Sequence, residues 1–314
     1  MEIIIDQRIE LITIIQTLCN YWDNLAKRFF NKELFQCKYK DNINNYFEEY
    51  KQNETIDLYN KICNEEMEIS AFLTLVLNYS DPPKLSKIAN FNENKYEYFM
   101  DSIRKFYKET EFDCFFESNK SEYKKIINDF GNKEDTLNEL NSIYEYLDIN
   151  KKNFEIIISP LVFGNFGISI YSKNYIIISP LDYKDNKYIF GSEESIRNII
   201  WHEIGHTVIN DLTKKYFDQN NYKNIEIPVK FVNMFYTNLE TIINEYIIRS
   251  ITCLLEKDSN CAKTLLDYEI KKGFNEIENI KNYILENCSE NNKLNKSIKY
   301  EKLINYVIGK INKS

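Results

Sequence analysis

Apolar positions recur at helical spacing through most of the first half of the chain. Between Asp6 and residue 30, Ile9, Leu11, Ile12, Ile15, Leu18, Trp22 and Leu25 fall on one broad face, which predicts a helix capped by Asp6. Helical patterning continues over 41–78 and breaks at Asn78-Tyr79-Ser80-Asp81-Pro82-Pro83. Residues 95–130 read as two helices that stop at Gly131. Residues 133–148 read as another, with Thr136, Leu137, Leu140, Ile143 and Leu147 on its apolar face.

The period then changes. Phe154–Ser159 and Tyr175–Ser179 are short, β-branched runs, and each leads into the same words, Ile-Ile-Ile-Ser-Pro-Leu, at 156–161 and 176–181. Two copies are too few for a solenoid, so they predict two strands of one small sheet. Between them Phe166–Tyr171 alternates apolar with small or polar residues and predicts a third strand, turned back through Ser172-Lys173-Asn174. Ser192 is placed to cap a helix running to about Asp211, with Glu193 and Glu194 in its first turn. Residues 213–224 read as polar loop, and a long helix is expected over about 229–257, with helices near 262–286 and 298–311. The fold class is therefore α+β, predominantly α-helical. It divides into a helical N-terminal region, 1–150, and a region at 151–314 in which a small sheet precedes a central helix; the two read equally well as one continuous domain.

Composition narrows the function classes. Net charge is −8 with both signs interspersed, so no basic stripe suits a nucleic acid. No apolar run reaches membrane-spanning length, and the first residues, Met1–Arg8, lack a basic leader region. A cytoplasmic location is expected, although the mature form of a secreted protein has the same appearance. The seven cysteines are odd in number and form no C-x-x-C, which suits reduced thiols. Of seven glycines, four (164, 167, 191 and 205) lie between the first strand and the end of the central helix, where backbone must approach another group closely.

The two histidines of the chain are four residues apart in Trp201-His202-Glu203-Ile204-Gly205-His206, an H-E-x-x-H motif. On a helix, positions i and i+4 share a face, so His202 and His206 can present both imidazoles to one Zn²⁺. Glu203 is one step round and suits a general base acting on a zinc-activated water. Catalytic zinc commonly takes a third protein ligand. No third histidine exists, and the position six after His206 is Leu212, so a carboxylate is expected. Glu245 is favoured because its neighbours one turn away are apolar or Arg249; Glu240, Glu226 and Asp211 are the alternatives. Arg249 has two readings: an orienting group for Glu245, or a clamp for a substrate carboxylate. The same metal centre also fits two other functions: a metal-dependent hydrolase of non-peptide amides, and a non-catalytic interaction protein with a structural metal.

At these residues the chain resembles a zincin metallopeptidase of the gluzincin type, in which H-E-x-x-H is followed by Asn-Glu on a later helix. More closely, it is similar to a family of uncharacterised bacterial proteins with a predicted metalloprotease motif. That likeness rests on Asp6-Gln7-Arg8-Ile9-Glu10-Leu11-Ile12, Phe163-Gly164-Asn165-Phe166-Gly167 and Asn244-Glu245-Tyr246-Ile247-Ile248-Arg249. The chain departs from thermolysin-like enzymes in the 38 residues between His206 and Glu245 and in having Arg249 where they carry an acidic residue. No histidine is left to stabilise an oxyanion, so a tyrosine, an arginine or a backbone N–H is expected there. The resemblance implies a peptide or protein substrate lying along an edge strand, here Phe166–Tyr171, with Gly164, Asn165, Gly167 and Arg249 as substrate-binding positions.

Overall fold

The computed structural model describes residues 2–63, 70–88, 96–131, 140–150, 153–219, 222, 225–234, 236, 238–296 and 298–312. The fold is α+β and mostly helical. The chain divides into two compact units, Met1–Asn132 with Phe154–Gly191, and Lys133–Asn153 with Ser192–Ser314. The small sheet thus belongs to the unit of the N-terminal helices, and the H-E-x-x-H segment to the other.

In the first unit, α1 (Gln7–Leu18) begins where the sequence expects. The Asp6 carboxylate accepts hydrogen bonds from the backbone N–H groups of Arg8 and Ile9 at 2.8 and 3.2 Å. The helix does not run on to residue 30. Asn20 adopts a left-handed conformation (φ 52°), and α2 (Tyr21–Phe30) starts anew. Nor is α1 buried along one face only: ten of its twelve residues are buried, polar ones included. Those polar groups are mostly paired, as burial demands. Gln16 donates to the Tyr59 hydroxyl and accepts from Trp22 Nε1, both at 2.9 Å. The Tyr39 hydroxyl donates to Glu10 Oε1 at 2.8 Å and also meets the Tyr123 hydroxyl at 2.8 Å. α3 (Lys38–Tyr46), α4 (Glu54–Cys63) and α5 (Ala71–Leu77) follow. Where two helices were expected over 95–130, the described residues 96–130 form three: α6 (Glu97–Glu109), α7 (Phe112–Ser118) and α8 (Lys120–Phe130). Glu111, at φ 48°, supplies the extra break.

The sheet contains β1 (Glu2–Ile4), β2 (Phe154–Ile158), β3 (Phe166–Ile170) and β4 (Lys173–Ile178), in the order β1-β2-β4-β3. The repeated words pair with each other: β2 and β4 are parallel, with Ile156, Ile157 and Ile158 opposite Ile176, Ile177 and Ile178. All six isoleucines are buried, the continuous apolar pattern of a strand covered on both faces. β3 runs antiparallel to β4 at one edge. β1 was not expected; three residues are too few for periodicity to declare. The same holds for the hairpin of β5 (Asp182–Lys184) and β6 (Lys187–Ile189), whose turn residues Asp185 and Asn186 both have positive φ (50° and 59°).

In the second unit, α9 (Asn141–Leu147) carries Ile143 and Leu147 buried; the start of the helix expected over 133–148 lies outside the described residues. α10 (Glu193–Gln219) opens as anticipated, with Ser192 Oγ accepting from the Ser195 N–H at 3.2 Å. It runs eight residues past the expected end at Asp211. Residues 213–219 are therefore helix and not loop. The polar letters there conceal Thr213, Tyr216 and Phe217, all buried, with Thr213 Oγ1 2.8 Å from the Tyr300 hydroxyl. The long helix expected over 229–257 is two: α11 (Val229–Asn233) and α12 (Leu239–Leu255). Asn238 caps α12, accepting from the Thr241 N–H at 2.7 Å. α13 (Ser259–Lys271), α14 (Ile277–Tyr283) and α15 (Ile298–Ile311) complete the unit, with Gly273 (φ 101°) separating α13 from α14.

Helices α10 and α12 lie antiparallel: Arg197 pairs with Glu256 at one end, and Gly205 abuts Ile248 further along. A Cβ on Gly205 would stand 2.8 Å from Ile248 Cγ2, so only glycine lets the helices come this close. None of the seven cysteines is paired. No described helix is long and apolar enough to cross a membrane.

Candidate metal centre

The close contact at Gly205 fixes what faces what. His202 and His206 flank that glycine on α10, and Glu245 is three residues before Ile248 on α12. Bringing the helices together therefore brings the carboxylate to the imidazoles. His202 Nε2 and His206 Nε2 are 3.1 Å apart. Glu245 Oε2 lies 3.6 Å from His202 Nε2, and Glu245 Oε1 lies 3.4 Å from His206 Nε2. A tetrahedral zinc with bonds of about 2.1 Å holds its ligand atoms about 3.4 Å apart. Taking one donor atom from each residue, all three lie within 4.8 Å of one another, so small side-chain adjustments would gather them on one such ion. Among the described residues they form a single His/His/Glu group able to hold a metal.

The alternative carboxylates stand elsewhere. Asp211 and Glu226 are exposed, Glu226 on the loop before α11, and Glu240 occupies the first turn of α12. None joins the two histidines in that group.

Charge in the site supports a cation. Glu203, Glu245 and Glu269 are all buried, at 6%, 9% and 7% exposure. Arg249 is the counter-charge: its Nε and Nη2 meet Glu245 Oε2 at 2.9 and 2.7 Å, and its Nη1 meets Glu269 Oε2. With both imidazoles neutral, as metal ligation requires, three carboxylates against one guanidinium leave a formal charge of −2, which one dication balances. Titration follows the same logic. Burial raises the Glu245 carboxyl, but Arg249 and the two imidazoles outweigh it and hold the group well below the usual range. Burial drives His202 well down. Burial also acts to lower His206, yet Glu245, Glu203 and Asn210 overcome it and raise that imidazole to about 9. Asn210 Oδ1 lies 3.2 Å from His206 Nδ1, where an acceptor orients the ring and leaves Nε2 for a ligand.

Several parts of this centre were missed in the sequence. Asn210 follows His206 at the same spacing that separates the histidines, so that signal was legible. Glu269 on α13 and Phe274, whose ring centroid is 4.4 Å from the Arg249 guanidinium carbon, had no local signal. The remaining expected substrate positions are in the first unit. Gly164 (φ 109°) and Asn165 shape the loop before β3: Ser179 Oγ donates to the Gly164 carbonyl at 2.8 Å, and Asn165 Oδ1 accepts from the Ser179 N–H at 3.1 Å. Gly167 is within β3, opposite Ile176.

A family model described as a domain of unknown function, DUF4932, matches residues 85–305. The chain belongs to this family. The DUF4932 match takes in the histidines, Glu203, Glu245, Arg249 and Glu269, and leaves α1 outside it. No curated protein and no solved structure matched the chain.

Proposed function

We propose that the chain is a zinc-dependent peptidase of zincin type, with His202, His206 and Glu245 as the metal ligands. The observation that carries this reading is the His202, His206 and Glu245 group, whose donor atoms lie within 4.8 Å of one another, with the buried Glu203 next to one of its histidines. A zinc ion there would supply a Lewis acid for the scissile carbonyl and lower the pKa of a coordinated water. Glu203 follows His202 on α10 and acts as general base: its carboxylate takes the proton of the attacking water and passes it to the leaving amine nitrogen. Asn210 and Arg249 hold ligand side chains, so the donor set is fixed before substrate arrives. The substrate of this reading is a peptide or protein.

Zinc content by elemental analysis and hydrolysis of a quenched fluorescent peptide library test it together. Glu203→Gln is expected to keep its zinc and lose about 100-fold or more of its hydrolysis. Glu245→Ala is expected to lose the zinc. Undiminished hydrolysis by Glu203→Gln would exclude this mechanism.

A further inference from the structure

Arg249 does more than neutralise its neighbour. Both of its contacts with Glu245, from Nε at 2.9 Å and Nη2 at 2.7 Å, go to the same atom, Oε2. The other carboxylate oxygen, Oε1, is the one that faces His206 Nε2, at 3.4 Å. Nη1 is committed to Glu269 Oε2 on α13, and the guanidinium carbon lies over the Phe274 ring, 4.4 Å from its centroid. Tyr236 is close enough to interact electrostatically with Arg249. Both side chains of the Arg249–Glu269 pair are close to nine-tenths buried.

From this geometry we infer that Arg249 and Glu269 are positioning residues that make Glu245 a one-oxygen ligand. The inference rests on the metal reading of the His/His/Glu group. Arg249 occupies Oε2 and leaves Oε1 to the metal, which keeps the coordination number low and a position open for substrate. Glu269 has two effects. It fixes the guanidinium from the side opposite Glu245, so the fork cannot rotate away. It also restores the negative charge that Arg249 cancels, without which the ligand set would attract a dication less strongly. With Nε and Nη2 facing Glu245 and Nη1 facing Glu269, the guanidinium serves the ligand set and not a substrate carboxylate.

The test is zinc affinity, measured by competition with a chromophoric chelator, together with the visible spectrum of the cobalt(II)-loaded protein. Wild type, Arg249→Lys, Arg249→Ala, Glu269→Gln, Glu269→Ala and the double alanine variant are compared, with circular dichroism of the metal-free proteins to confirm folding. An ammonium cannot bridge two carboxylates in a planar fork, so Arg249→Lys is expected to fold and to lose about tenfold or more in zinc affinity. In the same variant, release of Oε2 raises the coordination number, and the cobalt bands should weaken relative to wild type. Because Glu269 acts partly through Arg249, the loss of zinc affinity in the double alanine variant should fall short of the sum of the two single losses. If the alanine variants fail to fold, Arg249→Lys and Glu269→Gln decide the matter. Wild-type affinity and an unchanged cobalt spectrum in both would overturn the clamp. A wild-type protein that binds no zinc would instead overturn the metal reading itself, so the two failures are distinct.

Discussion

Replacing Gly205 by alanine sets two effects of known size against each other. Alanine in a helix interior is worth about 1 kcal/mol over glycine, so an open site would be stabilised. Here the new methyl would lie 2.8 Å from Ile248 Cγ2 and 3.2 Å from Ile248 Cγ1, both tighter than carbon atoms tolerate. Ile248 is buried and backbone-anchored in α12, so relief means moving one helix off the other, at about 1–3 kcal/mol. The clash offsets or exceeds the gain, and Gly205→Ala is expected to lose up to about 2 kcal/mol net. Ile248→Ala alone should lose about 2–5 kcal/mol through its cavity. In the double variant the methyl added at position 205 enters space that the isoleucine vacated. The two losses should then fall short of additivity by at least about 1 kcal/mol. Urea unfolding in the presence of chelator measures all four proteins without any contribution from metal binding. A Gly205→Ala protein as stable as wild type, with additive losses, would refute the claim that this contact sets the helix spacing. The same shift carries Glu245 away from the imidazoles, so Gly205→Ala should also bind zinc more weakly.

Two further outcomes concern other parts of the chain. Glu10 is fully buried in α1; burial raises its carboxyl to about 8 from 4.5, against the opposing hydrogen bond from Tyr39. Because the fold holds the proton more tightly than the unfolded chain, this group's stabilisation is complete below about pH 4.5 and is lost as pH rises to about 8. At about 1.4 kcal/mol per pH unit, the loss is at most about 5 kcal/mol. Glu10→Gln, which keeps the acceptor for Tyr39, should flatten that slope in unfolding measured across this range; parallel wild-type and variant curves would count against the assignment. Asn238 caps α12 through two contacts from Thr241, at 2.7 Å each. Asn238→Ala should destabilise the fold by about 1 kcal/mol and Asn238→Asp by much less, read by the same unfolding titration, and equal midpoints for all three would show the cap to be idle.

The sequence disclosed whatever was periodic or scarce. Two histidines on one helical face, a capping Asp6 and a capping Ser192 were legible because each depends on residues a few positions apart. Glu245 was favoured among four carboxylates by its apolar neighbours and Arg249; what brings it to the histidines is the close approach of α10 and α12, a property of Gly205 and Ile248 together. Glu269 was beyond reach, since nothing local links it to Arg249, 20 residues earlier. Boundaries failed for related reasons. Thr213, Tyr216 and Phe217 read as loop among lysines because the Tyr300 that two of them meet is remote in sequence. Neither glycine nor proline follows the end of α11 at Asn233, and only the geometry of Asn238 marks the start of α12.

The doubled Ile-Ile-Ile of β2 and β4 has a consequence for how the sheet finds its alignment. Sliding one strand past the other by a residue would still set isoleucine against isoleucine, so the run by itself contains no ruler. The measuring marks lie at its two ends. At one, the Lys173 ammonium reaches the Glu155 carboxylate at 2.8 Å. At the other, the Ser159 N–H donates to the Ile178 carbonyl at 3.0 Å and Asn165 holds the Ser179 N–H. Greasy repetition supplies the cohesion of this sheet, and a handful of polar atoms outside it tell each strand where to stop.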